Sequence, residues 1–234
     1  VYVEYPQGTD IEKTNIITVE DPVEYQLDGI TQVQIFEDIG LTFGSSLRSI
    51  LRQDPDVLLI GEIRDEETAD IAVKFSLTGH LVFSTVHAND APGTLTRLLD
   101  IGIAPFLVGS CLNLVMAQRL VRKLCDKCKE SYAPTADELA LIGLETKDVK
   151  GELNKAKGCA DCRNTGYRGR TAIFEMIPMA RELRKLVFDS ANEDEIRQAA
   201  IKNGMVTLRD AGNERVLDGT TSVEEVLRST VEDL

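Results

Sequence analysis

The chain has 234 residues, 43% of them hydrophobic and 28% charged, with 26 Lys and Arg against 39 Asp and Glu and a formal net charge of −13. That is the composition of an ordinary globular protein, long enough for one large or two smaller domains. The acidic balance argues against non-specific nucleic-acid binding, which depends on neutralising phosphates with Lys and Arg.

The chain starts at Val1 rather than Met, and no basic region followed by an apolar one marks a signal peptide. It reads as a piece of a longer protein. The first clear element is "NIITVED", Asn15–Asp21, an apolar strand ending in the acids Glu20 and Asp21. Phe43, Leu47, Ile50 and Leu51 then recur at helical spacing before the turn "DPD". Val57–Ile60, "VLLI", is aliphatic and partly β-branched, as expected of a strand buried on both faces of a parallel sheet. It runs into Gly61, Glu62, Arg64 and Asp65.

In open α/β sheets the chemistry sits at the carboxyl ends of the strands. An acid at the position of Glu62 suits holding Mg²⁺ through water, or orienting an attacking water in phosphoryl transfer. The plainer reading is a carboxylate that caps the next helix. Asp65 is placed to start that helix, whose apolar face holds Thr68, Ile71, Ala72 and Phe75, and Gly79 to end it. "LVFSTVH", Leu81–His87, is a third strand leading to Asp90, with His80 just before it. Strands alternating with helices predict a parallel sheet with helical crossovers over residues 15–122. If the strands are neighbours, Glu20, Asp21, Glu62, His80 and His87 converge on one edge. For either histidine alone, a hydrogen-bonded structural imidazole is the plainer alternative.

Ile103–Val121 is the longest greasy stretch, broken by Ser110, Asn113, Gln118 and Arg119. The expectation is a buried helix, not a membrane span. Cys111 within it is expected to act as a small hydrophobe. Residues 123–172 then hold four cysteines, many charges and few aliphatics. Cys125 and Cys128 form one C-x-x-C pair and Cys159 and Cys162 another. Two such thiolate pairs can complete a tetrahedron around one Zn²⁺, and four protein ligands leave no open position, so the role is structural. Disulfides or redox thiols are the alternatives, the former disfavoured without a secretory signal. Residues 173–234 read as short helices, the clearest with Ser222 and Glu225 spaced as a capping box.

A nucleotide site of this kind needs G-x-x-x-x-G-K-[ST], whose backbone N–H groups and lysine cradle the phosphates. The nearest string, "GTDIEKT" at Gly8–Thr14, lacks the glycine before its lysine and leads straight into a strand.

Taken together, "NIITVEDPVEYQLDGITQVQI", "LRSILRQDPDVLLIGEIRDEETADIAVKFSLTGHLVFSTVHANDAPGTLTRLLDIGI", "QRLVRKLC" and "GYRGRTAIFE" resemble the C-terminal motor half of the type II secretion and type IV pilus assembly ATPases. The resemblance covers residues 15–234. It includes what that family calls the aspartate box (Thr18–Glu24), the Walker B segment (Arg52–Asp65) and the histidine box (Thr78–Asp90). The four cysteines resemble the secretion and pilus-extension branch.

The fold implied is α/β: a RecA-like parallel sheet with helical crossovers, plus a zinc-binding insert and a small C-terminal helical subdomain. The divisions expected are an atypical segment 1–14, a core 15–122 without the phosphate loop, a tetracysteine module 123–172 and a helical subdomain 173–234. The resemblance further implies ATP and Mg²⁺ in the intact parent, structural zinc on Cys125, Cys128, Cys159 and Cys162, and a homo-hexameric ring. It places that ring in the cytoplasm, at the inner-membrane face beside platform components, with no nucleic acid. Glu62 would be the acid at Mg²⁺ and its water, and Glu20 the group that activates the attacking water, although either acid can be the base. Arg64 would stabilise charge in its own or a neighbouring site, or simply pair with Asp65. Asp21, Glu24, Gly61, His80 and His87 would lie at the nucleotide, the histidines coupling its γ-phosphate to subunit movement. The competing functions are a non-catalytic ring or docking subunit that has lost nucleotide binding, and a RecA-like DNA helicase, which the acidic charge disfavours.

Overall fold

Four short strands organise the first half of the molecule. The computed structural model describes residues 13–230. All but the last two residues of the expected segment 1–14, and with them most of "GTDIEKT", lie outside the described residues. In chain order the elements begin β1 (Ile16–Glu20), β2 (Thr31–Gln34), α1 (Phe43–Ile50), β3 (Val57–Ile60), α2 (Glu66–Leu77), β4 (Leu81–Ser84), α3 (Ala91–Asp100) and α4 (Pro105–Cys111). They continue with β5 (Leu114–Leu124), β6 (Glu130–Tyr132), α5 (Ala136–Leu141), β7 (Leu153–Lys155), β8 (Tyr167–Pro178), α6 (Arg181–Phe188), α7 (Glu193–Lys202), α8 (Leu208–Leu217) and α9 (Val223–Ser229).

The chain divides into two units. One comprises residues up to Ala88 with Gly93–Asn113 and Met179–Ile196; the other comprises Asn89–Pro92, Leu114–Pro178 and residues from Arg197. The expected boundaries after residues 122 and 172 fall inside β5 and β8.

The first unit is built on a parallel sheet of order β2-β1-β3-β4, with Val19 beside Ile60 and Ile60 beside Ser84. Val19, Leu58 and Ile60 are completely buried, as strands covered on both faces require. The expected face of α2 is buried, and Asp65 accepts the Thr68 N–H at 2.8 Å to cap it. Gly79 stops the helix region at φ +99°, a conformation that suits glycine. β2, "TQVQ", carries too few aliphatics to announce itself as a strand. Its ladder to β1, which extends the sheet to its edge, defines it.

The helix expected over 103–121 is corrected. Only Pro105–Cys111 is helical, and at Leu112 the backbone turns extended, with ψ 134°. From Leu114 the buried positions Val115 and Val121 alternate with the exposed Leu114, Met116 and Leu120. This is the two-residue period of a strand. The apolar content on both faces hid that period. The long antiparallel pairing with β8, whose partners lie 43 (Leu124 and Tyr167) to 64 (Leu114 and Pro178) residues away, decides it. The same pairing makes 173–178 strand rather than part of a helical segment.

In the second unit, the buried face of the β5–β8 ribbon places Val121 and Ile173 against Leu208 of α8. Leu139, Ile142, Leu153, Val216, Val223 and Val226 form a separate cluster. The buried carboxylate of Glu175 accepts the backbone N–H of Ala91 at 2.8 Å and of Leu208 at 3.1 Å, so it satisfies the first turns of two helices.

Glu225 is completely buried. Ser222 caps α9 by accepting the Glu225 N–H, but the Glu225 side chain does not close the expected box. It accepts instead from the Arg122 backbone N–H (2.9 Å), from Arg122 Nε and Nη2 (2.9 and 2.6 Å) and from Arg228 Nε and Nη2 (3.0 and 2.6 Å). Burial alone would raise this carboxyl; the hydrogen bonds from Arg228 and Arg122 outweigh it and bring it from 4.5 down to about 2. At 1.36 kcal/mol per unit that depression is worth about 3 kcal/mol. A depressed folded pKa stabilises the fold fully above the unfolded value and loses that contribution as pH falls toward 2. Glu225→Gln is therefore expected to lower stability at pH 7 by about 3 kcal/mol. The gap to the parent should narrow below about pH 4. Urea unfolding at pH 7 and pH 3.5 reads both effects.

Candidate active site and metal centre

The carboxyl ends of β1, β3 and β4 lie side by side because the strands are parallel and in register. Gly61 donates its N–H to Val19 O at 2.7 Å, and a Cβ on Gly61 would stand 3.1 Å from that oxygen and 3.4 Å from Glu20 Cα. The absence of a side chain there is what lets the ends carrying Glu20 and Glu62 approach. Thr85 ties in the third strand end: its hydroxyl donates to Gly61 O at 2.5 Å, and its carbonyl accepts the Ile63 N–H at 2.9 Å.

Glu62 is largely buried and bonded on both oxygens. Oε1 pairs with Arg64 and Oε2 meets His87 Nε2 at 2.9 Å. The Arg64 hydrogen bond is the main reason the carboxyl sits below its ordinary range; burial opposes it and His87 assists. The Arg64 guanidinium is correspondingly raised, first by its bond to Glu62, with Asp21 and Glu37 adding to the effect. Arg64 thus pairs with Glu62, while Asp65 serves the α2 cap. Glu20 accepts from Thr18 Oγ1 at 2.5 Å and from Gln32 Nε2 at 3.1 Å, so its carboxylate has a fixed direction. Asp21 and Glu24 are exposed beside it in sequence.

His80 does not join this edge. It precedes β4 and so lies at the amino end of the sheet, about 13 Å from the carboxyl end at ~3.3 Å per residue. There its ring stacks on Phe75 at 4.1 Å, and Nδ1 lies 2.9 Å from Thr78 Oγ1. The expectation that both histidines converge with the acids holds for His87 alone. Gln32 and Thr85 were missing from the sequence reading. Thr85 had a signal, its place between a strand end and His87; Gln32 had none until β2 was seen to flank β1.

The second constellation is Cys125, Cys128, Cys159 and Cys162. All four Sγ atoms lie within 4.8 Å of one another, with 3.8 Å between Cys128 and Cys162 and 3.7 Å between Cys159 and Cys162. A regular tetrahedron with Zn–S arms of about 2.3 Å has edges of about 3.8 Å. None of the cysteines is in a disulfide. Burial raises the Cys162 thiol, but the Cys159 and Gly166 N–H groups, donating to its sulfur at 3.1 and 3.2 Å, outweigh it and bring it to about 6. The thiolate, the form that ligates metal, is thereby favoured at Cys162, while burial pushes the neighbouring Cys128 thiol up to about 12. Close backbone approach builds the pocket: Gly166 has φ +77°, and a Cβ there would meet that of Ala156 at 2.5 Å. The cluster has the donors and spacing to hold one metal ion.

The site thus lies at the carboxyl edge of a parallel α/β sheet with helical crossovers, an arrangement that a RecA-like protein shares. The family model described as "Type II/IV secretion system protein" matches residues 5–228. The chain belongs to that family. It is 52% identical over 223 residues to the type IV pilus assembly ATPase PilB of Myxococcus xanthus, covering 94% of this chain and 39% of that protein. It is 51% identical over 219 residues to the type II secretion system protein E of Pseudomonas aeruginosa, covering 94% and 43%. The chain thus spans roughly two fifths of the length of these curated relatives. Among solved structures, the pilus retraction motor PilT with bound ADP matches with a TM-score of 0.66 at 25% identity, over 94% of this chain and 53% of that one. No helix among the described residues is long and apolar enough to cross a membrane.

Proposed function

We propose that the chain is the catalytic half of a motor ATPase of a type II secretion or type IV pilus assembly system, which couples ATP hydrolysis to subunit movement in a homo-hexameric ring. The observation that carries this reading is the convergence of Glu20, Glu62, Arg64 and His87 on the shared edge of β1, β3 and β4.

Mg²⁺ bound with ATP would supply charge neutralisation and a fixed phosphate geometry. Glu62 would hold the metal's water shell, since each carboxylate oxygen keeps a lone pair beyond those used by Arg64 and His87. Glu20, aimed by Thr18 and Gln32, orients the attacking water and takes its proton. Arg64 balances negative charge at the edge. His87, already bonded to Glu62, passes a change at the phosphates to the loop that follows it. His80 keeps the turn between α2 and β4 in place. Asp21 and Glu24 shape the approach to the site. The four cysteines hold a structural Zn²⁺. The ring would work in the cytoplasm at the inner-membrane face, beside the platform proteins of its machine.

The acids repel a nucleotide unless a phosphate loop offsets them with backbone N–H groups, a helix N-terminus and a lysine. The chain as given is therefore expected not to hydrolyse Mg-ATP measurably and to bind it weakly. The parent protein, extended upstream through a G-x-x-x-x-G-K-[ST] loop, should do both. Calorimetry and phosphate release on the two proteins test this. An extended parent that binds no ATP would favour a docking subunit.

A further inference from the structure

On the exposed face of the β5–β8 ribbon, three arginines close on one cavity. It measures about 360 Å³ and is lined by Leu120 and Arg122 of β5, Arg170 of β8 and Arg228 of α9. Arg122 and Arg170 are direct partners in the antiparallel register. Like charges directly opposite destabilise a ladder, so this arrangement costs the fold something that no neutral pair would. Arg122 is fixed from two sides. It lies 4.0 Å over the Tyr167 ring and is bonded to Glu225. Arg228 shares that carboxylate. Each of these guanidiniums still has N–H groups to spare, because a guanidinium carries five. Arg170 is exposed and meets no carboxylate among the described residues. Among the described residues, the acids facing the cluster are Glu225 and Glu224, two against three.

We propose that this is a binding site for a phosphate ester, with Arg170 as the free fork and Arg122 and Arg228 as forks set in advance by Glu225. A carboxylate brings only one charge, and Glu225 already supplies one to Arg122 and Arg228, which leaves three guanidiniums under-neutralised. A phosphate monoester presents three terminal oxygens and nearly two charges at pH 7, so it can engage forks from three directions. The depression is open to solvent, as a headgroup-sized anion requires, and Leu120 gives the ester's carbon portion an apolar wall. The site shares no residue with the carboxyl edge of β1, β3 and β4, so it stands or falls independently of the proposed ATPase reading.

The chain as given suffices for the test. Glycerol 3-phosphate is titrated calorimetrically at ~0.15 M salt, where non-specific pairing is screened. Saturable one-site binding is expected, weakened about tenfold or more in Arg170→Ala, the size of one charge-assisted hydrogen bond. Arg170→Lys should recover it only in part, because it restores the charge but not the fork. Thermal unfolding of Arg170→Lys should match the parent and that of Arg170→Ala should equal or exceed it, since Arg170 is exposed and its charge opposes that of Arg122. Co-sedimentation with phosphatidylglycerol vesicles, against phosphatidylcholine, separates the sources. Capture that Arg170→Ala abolishes marks a lipid headgroup; soluble binding without capture marks a free metabolite. The proposal is overturned if acetate or succinate binds as tightly, if Arg170→Ala changes neither assay, or if neither probe binds.

Discussion

Removing metal from the four-cysteine centre is expected to unfold the segment from Cys125 to Gly166 and to lower the melting temperature of the whole chain by many degrees. The segment contributes few buried aliphatics of its own beyond Leu139, Ile142 and Leu153. Its turns are fixed by the cysteines: Lys129 N–H donates to Cys125 O, Asn164 N–H to Cys159 O and Gly166 N–H to the Cys162 sulfur. Arg163 and Asn164 sit at positive φ, +53° and +60°, which non-glycine residues hold only when the surroundings impose it. Structural zinc supplies about 10–16 kcal/mol in small peptides, far more than the rest of the segment can replace. Freshly purified, reduced protein should contain one equivalent of zinc. Cys162→Ser should lose the metal, and strong chelators should reproduce its melting curve. Less than half an equivalent of zinc, or a melting curve indifferent to chelation, contradicts the assignment.

In a longer protein that carries the proposed upstream phosphate loop, Glu62→Gln is expected to retain ATP binding and to lose at least about a hundredfold in turnover, or ~3 kcal/mol of transition-state stabilisation. Glutamine keeps the shape and one acceptor oxygen. It removes the charge that faces both Arg64 and His87 and that is proposed to hold the metal's water shell. His87→Ala should leave turnover higher than Glu62→Gln does, because it removes a partner of the carboxylate and not the carboxylate itself. Single-turnover kinetics separate binding from chemistry. Turnover near the parent's in Glu62→Gln would move the metal role to another acid.

Much of this site was legible before any coordinates. A buried aliphatic run that ends in Gly-Glu marks a strand end, which is why the sequence alone put Glu62 forward for the site. Glu20 stood out likewise at the end of "IITVE". The cysteine pairs were legible because chelation by a C-x-x-C turn is local, and two such turns complete one coordination sphere. What failed was the greasy stretch after Ile103. Its apolar residues fit a helix or a strand equally well over a short window. His80 failed for a related reason: proximity in sequence to β4 says nothing about which end of the strand a residue occupies in space.

The sequence by itself determined the alternation of strands and helices, the acids at strand ends, the two C-x-x-C pairs and the membership of a family, because each rests on short-range spacing or on directly compared residues. Only the tertiary structure decided that Glu62 is shared by Arg64 and His87, that Gln32 aims Glu20, that Thr85 clasps the Gly61 turn, and that Glu225 serves two arginines instead of its own helix cap. Most of these partners are 12 to 103 residues apart in the chain. The pairings follow from strand register and helix docking, which collect their energy over many burial contacts at once. No local window of sequence carries that sum, and so none could name the partners.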